Sequence, residues 1–369
     1  MISNKIDPRI IDIFKELISI EGLSGNERHV ADYIKNFLKK YNLSIKEDNC
    51  KIYSQGNSGN LICKIGNGGN TVFVAHMDTA RSTKSVNPVI SNDRIESSGD
   101  TILGADNRAG IAVILYSVEK AIEDNKKIPN ITLAFTVCEE TSLLGSDNIK
   151  LDNINVAYVF DSALRPGNFI SQSYGAKSFK IIVNGRASHS GLAPEKGINA
   201  IQIAAKAINK LHLGRVNNNT TVNIGKINGG EGINVVPAKT IIEGEVRSLT
   251  MDSIETVIQD IEHQFKSVAT EIGGEIEVTT RLDFAPYKVS SESEVCKRLT
   301  KAIIKVGLKP MPSISAGGSD ANSLNRRGIP TINLGIGAQN PHSNNEYILL
   351  EDFQKSAEIA AQLINLKKD

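Results

Sequence analysis

Two adjacent carboxylates, Glu139 and Glu140, close the apolar run Leu133-Ala-Phe-Thr-Val-Cys138. A short run of apolar and β-branched residues reads as a buried strand of a parallel sheet. Open α/β sheets keep their chemistry at the C-terminal ends of such strands. Neighbouring acids there point in different directions and could do different work. His76-x-Asp78 ends a second apolar run, Thr71–Ala75. Residues two apart on an extended chain share a face, so Asp78 could hold one ring nitrogen of His76 and leave the other for a metal. Asp106 stands before a long apolar segment, Asp161 follows Val156–Phe160, and His342 lies in the loop Asn340-Pro-His-Ser-Asn-Asn-Glu346. Singly, each has a plain alternative: a solvated strand end, a helix N-cap at Asp106 or Asn107, or a loop histidine without a role. Together, two histidines and several carboxylates without cysteine suit a pair of zinc ions bound through N and O. Such sites also accept cobalt or manganese. A further acid left unliganded would serve as general base.

Something must bring these distant residues together. Ile10, Phe14, Leu17 and Ile18 recur at helical spacing, and Ser24-Gly-Asn-Glu27 reads as a capping box opening a second helix. Asn60–Ile65 and Thr71–Ala75 read as strands joined by the turn Gly66–Gly69, which we take as a hairpin turn because the GK[ST] ending of a phosphate loop is missing. Residues 81–100 are polar and turn-rich. Ala109–Tyr116 begins a helix that is apolar nearly all round, hence buried. Strands alternating with helices indicate an α/β domain with a mixed, largely parallel sheet. From about Lys177 the order becomes β-α-β-β-α-β, that of a ferredoxin-like α+β sandwich. After about Pro286 the α/β pattern resumes and ends in a helix near Leu350 to Leu366. The expectation is therefore a catalytic domain of residues 1–176 and 286–369, interrupted by an inserted domain of residues 177–285.

The ordered set of motifs resembles the co-catalytic di-zinc peptidases and amidohydrolases that include peptidase T, carboxypeptidase G and the aminoacylases. The resemblance rests on His76-x-Asp78-Thr79, Gly104-Ala-Asp106, Glu139-Glu140, Asp161 and the His342 loop. It also rests on Gly185-Arg-Ala-Ser-His189-Ser-Gly191, Gly229-Gly-Glu-Gly-Ile-Asn234-Val-Val-Pro237 and Gly317-Gly-Ser-Asp-Ala-Asn322. It spans nearly the whole chain and is nearest to the peptidase T-like members. It implies that His76, Asp106 and Asp161 bind one zinc and Asp106, Glu140 and His342 the other, with Asp106 bridging. It implies Asp78 as the residue that orients His76 and Glu139 as general base. His189 would reach the active site of a partner subunit in a homodimer and meet the tetrahedral intermediate, while Asn234 and Arg247 hold substrate. The pair Gly317-Gly318 would permit close approach of a ligand, or is a plain turn. Asp at 161, where other members carry Glu, leans towards the aminopeptidases. Asn107 departs from the second Asp that peptidase T-like sequences carry there.

The implied reaction is hydrolysis of peptide bonds in short peptides by a water bridged between two zinc ions. The alternatives are a deacylase of N-acyl amino acids or other small amides, and a catalytically silent binding module. The bulk numbers agree with an ordinary globular protein: 369 residues, 40% hydrophobic, 22% charged, net charge +1. No basic stripe supports nucleic-acid binding. No apolar run spans a membrane, and Met1–Pro8 shows no signal-peptide core. Cys50, Cys63, Cys138 and Cys296 form no CxxC pair, which suits a reducing cytoplasm.

Overall fold

The computed structural model describes residues 6–91, 93–123 and 130–365. Residues 1–5 of the stretch searched for a signal peptide, and Leu366 at the end of the last helical repeat, lie outside them. The chain divides into two compact units: Met1–Gln172, Lys288–Ser315 and Ser319–Asp369 form one, Ser173–Tyr287 and Ala316–Gly318 the other. The boundaries read at 177 and 285 fall just inside the second unit. The three-residue return at Ala316–Gly318 has no signal in the sequence.

The first unit is built on a sheet. Across it the strands run Ile45–Glu47, Leu61–Ile65, Ile131–Thr136, Thr71–His76, Val156–Ser162, Thr331–Gly335 and Asn168–Ser173. The run from Ile131–Thr136 to Thr331–Gly335 is parallel; the outer pairs are antiparallel. Every residue of Thr71–His76 and Ile131–Thr136 is buried. That is why the sequence shows unbroken apolar runs there instead of alternation. Parallel neighbours end on the same edge, and the register sets His76 beside Thr136. The residues that follow both strands, and Asp161 near the end of Val156–Ser162, must therefore meet.

Helix Ala105–Glu123 packs on the middle strands and is buried on nearly every face. Its approach is unusually close at Gly110, where a Cβ would lie 2.0 Å from the Phe160 carbonyl oxygen. Only glycine allows that contact. Helices Pro8–Ile18, Arg28–Lys39, Glu294–Lys305 and Leu350–Asn365 complete the same core, with Phe14 edge-on to Phe353 at 5.3 Å.

Two sequence expectations are corrected. Gly66–Gly69 is not a hairpin turn, because Ile131–Thr136 lies between the two flanking strands and pairs with both. Long-range pairing of buried strands overrode the local turn signal. Residues 81–100 also carry strands, Pro88–Ile90 and Arg94–Ser97, which form a small sheet with Tyr347–Leu349 and Ala338–Gln339.

The second unit follows the expected β-α-β-β-α-β order: Gly175–Asn184, Ala200–Asn209, Thr220–Gly229, Lys239–Ser248, Met251–Ile272 and Glu275–Phe284. A short strand, Gly214–Asn217, is added at one edge. Its helices start at side-chain caps, Asn199 to Gln202 N–H and Thr250 to Ser253 N–H. The longer one stops at Gly273, left-handed with φ 89°. Phe179, Ile181, Ile203, Val246, Ile258 and Phe265 fill a separate core.

Candidate metal centre

Five residues that the sequence singled out as metal ligands, and the candidate base Glu139, converge in the first unit. The Nε2 atom of His76 lies 3.1 Å from Asp106 Oδ1, 3.1 Å from Asp161 Oδ1 and 4.0 Å from Glu139 Oε2. The Nε2 atom of His342 lies 3.0 Å from Glu140 Oε1 and 3.3 Å from Asp106 Oδ2. The two oxygens of Asp106 thus face the two histidines. Ligand atoms of His76, Asp106 and Asp161 cluster within 4.8 Å, as do those of Asp106, Glu140 and His342. A third overlapping group, His76, Glu139 and Glu140, meets the same limit.

The chain is bent to aim these atoms. After Thr136 it turns through Cys138, whose φ is 53°. Glu139 and Glu140 then form the first turn of the short helix Glu139–Ser142. Asp78, fully buried, accepts the Glu139 amide at Oδ1 and the Glu140 amide at Oδ2, both at 3.1 Å. The Ser24 hydroxyl also donates to Oδ2 at 2.6 Å. The Nδ1 atom of His76 lies 3.0 Å from the Asp78 backbone carbonyl and 3.4 Å from Oδ1. That contact turns Nε2 towards the carboxylates. Asp78 therefore contacts both the histidine, nearer through its backbone carbonyl than through the carboxylate expected from the sequence, and the Glu139–Glu140 turn.

Ser24 and Glu27 do not form the expected capping box. Glu27 sits at the cap of helix Arg28–Lys39 without a side-chain bond to it. Its Oε1 accepts instead from Gly25 N at 2.8 Å and Cys138 N at 3.0 Å. The motif was legible but the distant partners were not: Asp78 lies 54 residues from Ser24 and Cys138 lies 111 residues from Glu27. Asn107 does act as a helix cap: its Oδ1 accepts from Gly110 N at 3.1 Å, a role Asn fills as well as Asp. Reasoning from sequence also missed Asp320, buried, which accepts the Thr136 hydroxyl at 2.5 Å, and Glu346. The carboxylate of Glu346, 1% exposed, takes Gly104 N at 2.7 Å and Asp106 N at 2.9 Å.

The charges in this cluster suit a bound cation. Burial opposes a proton on His76, yet Glu139, Asp106, Asp161 and Asp78 together raise its pKa well above the usual value. Hydrogen bonds to Asp106 and Glu140 push His342 up to about 10. Burial raises Glu139, and Asp161, Asp320 and Glu140 add to it. Burial likewise raises Glu140 and Asp161. Buried carboxylates packed this densely are costly unless paired with positive charge. The donor set is N and O without sulfur, which fits zinc, cobalt or manganese. His76 is 1% exposed and His342 49% exposed, so the group nearer His342 is the open side.

The other named residues belong to the second unit. The Nδ1 atom of His189 accepts from Gly191 N at 3.1 Å and Leu192 N at 3.2 Å, which leaves the proton on Nε2 as a donor. The Asn234 carbonyl accepts from Ser190 N at 3.0 Å, so Asn234 lies beside His189. Arg247 bonds Glu245, donates to the Ala316 carbonyl at 2.8 Å and lies over the Phe284 ring. A Cβ on Gly318 would come within 2.7 Å of the same ring, a packing reason for glycine there. The Gly317 carbonyl accepts from Ser173 Oγ at 3.0 Å.

Known proteins share this architecture. Residues 172–272 match the peptidase dimerisation domain. The crystal structure of aminopeptidase PepT from Bacillus cereus ATCC 10987 is 33% identical, with a TM-score of 0.89 over 97% of this chain and 98% of that one. A tripeptidase from Staphylococcus aureus subsp. aureus Mu50 is 30% identical, with a TM-score of 0.93 over 98% of both chains. Peptidase T of Clostridium perfringens (strain ATCC 13124) is 27% identical over 343 residues, 80% of this chain and 81% of that protein.

Proposed function

The chain belongs to the M20 family of peptidases, and from that premise we propose that it removes the N-terminal residue from short peptides, tripeptides above all, with two divalent ions at the Asp106 cluster. It is a metallopeptidase, and hydrolysis of peptide bonds is its reaction class. The observation that carries the reading is the placement of Asp106, one oxygen towards His76 and the other towards His342, with Glu139 alongside.

In this reading His76, Asp106 and Asp161 hold one ion and Asp106, Glu140 and His342 the other. Zinc is the first candidate, with cobalt or manganese as substitutes. When bound, such ions polarise the scissile carbonyl and lower the pKa of water towards ~7. Glu139 takes the proton of the attacking water and returns it to the leaving amine. Asp78 keeps His76 and the Glu139–Glu140 turn in place throughout. His189, from the partner subunit of a homodimer, would donate through Nε2 to the developing oxyanion. Asn234 and Arg247 would hold the peptide backbone or its carboxylate, and Gly317 and Gly318 would let that backbone come close. No helix among the described residues is long and apolar enough to cross a membrane, and we place the enzyme in the cytoplasm.

The test is a set of tripeptides with free N-termini run beside their N-acylated counterparts and N-acyl amino acids, using zinc-loaded protein. Release of the N-terminal residue from the free set alone is expected. Turnover of the blocked set alone would overturn the aminopeptidase reading and favour a deacylase.

A further inference from the structure

The backbone amides of Gly104 and Asp106 lie in the non-helical entry to helix Ala105–Glu123, ahead of Asn107, the residue that caps its regular part, so no helical hydrogen bond is open to them. No side chain next to them in sequence accepts these two amides. Glu346, some 240 residues later, takes both, one on each carboxylate oxygen, at 2.7 and 2.9 Å. Glu346 also ends the loop that carries His342. That loop is held in an uncommon shape, with φ 52° at Asn340 and 63° at His342. Such conformations persist only where neighbours impose them. The neighbours are Glu346 on one flank and Arg81 on the other. The Nη1 atom of Arg81 donates to the His342 carbonyl at 3.2 Å and to Asn344 Oδ1 at 2.9 Å.

We infer that Glu346 is a positioning residue for the Asp106–Glu140–His342 group, one that ties two of its ligands together and so sets the affinity of one ion more than the other. This rests on the two-ion reading above. The asymmetry follows from who else holds each ligand. His76 is fixed by the Asp78 carbonyl, and Asp161 lies in the paired strand Val156–Ser162. The His76–Asp106–Asp161 group thus keeps two well-held ligands without Glu346. In the other group both Asp106 and His342 lose an anchor, and only Glu140 stays tied, through Asp78. Outer partners of metal ligands typically govern affinity by about 10- to 100-fold.

The experiment is a stepwise Zn²⁺ titration of metal-free protein against a chromophoric chelator, with zinc per chain counted after desalting, for wild type and Glu346→Gln. Gln keeps the shape and one acceptor but turns an NH₂ towards an amide that needs an acceptor. Wild type is expected to bind two ions. In Glu346→Gln one step should weaken about 10- to 100-fold while the other moves far less, leaving about one tightly held zinc. Two unchanged steps would overturn the inference. Equal weakening of both, with a lower melting temperature of the metal-free protein, would reduce Glu346 to general scaffolding and also overturn it. If wild type binds no zinc, the two-ion reading itself fails. Should Glu346→Gln not fold, Arg81→Ala carries the same comparison from the loop's exposed flank. Unequal loss supports the clasp, and equal loss or none refutes it.

Discussion

Asp78→Asn is the most informative single substitution. The two oxygens of Asp78 are not equivalent. Oδ1 serves the Glu139 amide, whereas Oδ2 serves the Glu140 amide and the Ser24 hydroxyl. Asn keeps the shape but has one acceptor and one NH₂. If the NH₂ takes the Oδ1 place, the Glu139 amide loses its acceptor. If it takes the Oδ2 place, the Ser24 hydroxyl can rotate and accept, but the Glu140 amide is left facing a donor. The second arrangement is the cheaper, so the cost falls on Glu140, a proposed metal ligand. A buried amide left without its partner costs about 1–3 kcal/mol. Charged to ion binding, that is about 5- to 150-fold in affinity, at 1.4 kcal/mol per decade. The assay is the chelator titration together with kcat and KM on a tripeptide, run beside Ser24→Ala. Ser24→Ala removes a bond to Asp78 without orphaning an amide and should cost less. Unchanged zinc affinity in Asp78→Asn would refute the reasoning, as would equal effects of the two variants.

Other outcomes follow from the same geometry. Glu139→Ala should keep two zinc ions per chain and lose at least about 10²-fold in rate, whereas Glu140→Ala should lose metal; metal analysis with tripeptide kinetics separates the two, and full activity in the first would remove Glu139 as base. Gly110→Ala would place a methyl 2.0 Å from the Phe160 carbonyl and 2.2 Å from Asn107 Oδ1. Helix Ala105–Glu123 must then shift from the strand bearing Asp161, lowering the melting temperature by a strain of about 1–3 kcal/mol and loosening zinc; an unchanged melting curve would contradict this. Glu47 is shielded from water, which alone would raise its pKa, but Arg28 and Lys35 outweigh this and hold it at about 2 against an ordinary 4.5. A depressed carboxylate stabilises the fold above its unfolded pKa and loses that contribution as pH falls. Glu47→Gln should therefore be less stable than wild type at pH 7 in urea unfolding, with the gap closing from about pH 4.5 towards 2; a gap constant across that range would refute the ion-pair account.

Much of this was legible from residue types alone. The unbroken apolar runs at Thr71–Ala75 and Leu133–Val137 announced buried parallel strands, and parallel strands bring their trailing residues to one edge. His76, Glu139 and Asp161 could be placed from that rule. The order β-α-β-β-α-β likewise announced the second unit. What escaped reading depends on partners distant in sequence. Ser24-x-x-Glu27 has the letters of a capping box, but both side chains are claimed by Asp78 and by the turn at Cys138. The glycines at 66–69 have the letters of a hairpin, but a later strand enters between the flanking ones. Glu346 looks like any loop acid. Nothing near it in sequence reveals that it holds the Gly104 and Asp106 amides some two hundred and forty residues earlier.

The strand Thr331–Gly335 lies between Val156–Ser162 and Asn168–Ser173 in the sheet. Those two are close in sequence, but they are not neighbours. On a ribosome they emerge long before the strand that belongs between them, and the whole inserted unit is made in the interval. Until then the sheet has an open parallel edge at its middle, a position from which a chain can pair wrongly. His342 and Glu346 follow that late strand. The sheet is therefore completed only after the inserted unit has been made, and the His342 loop follows it.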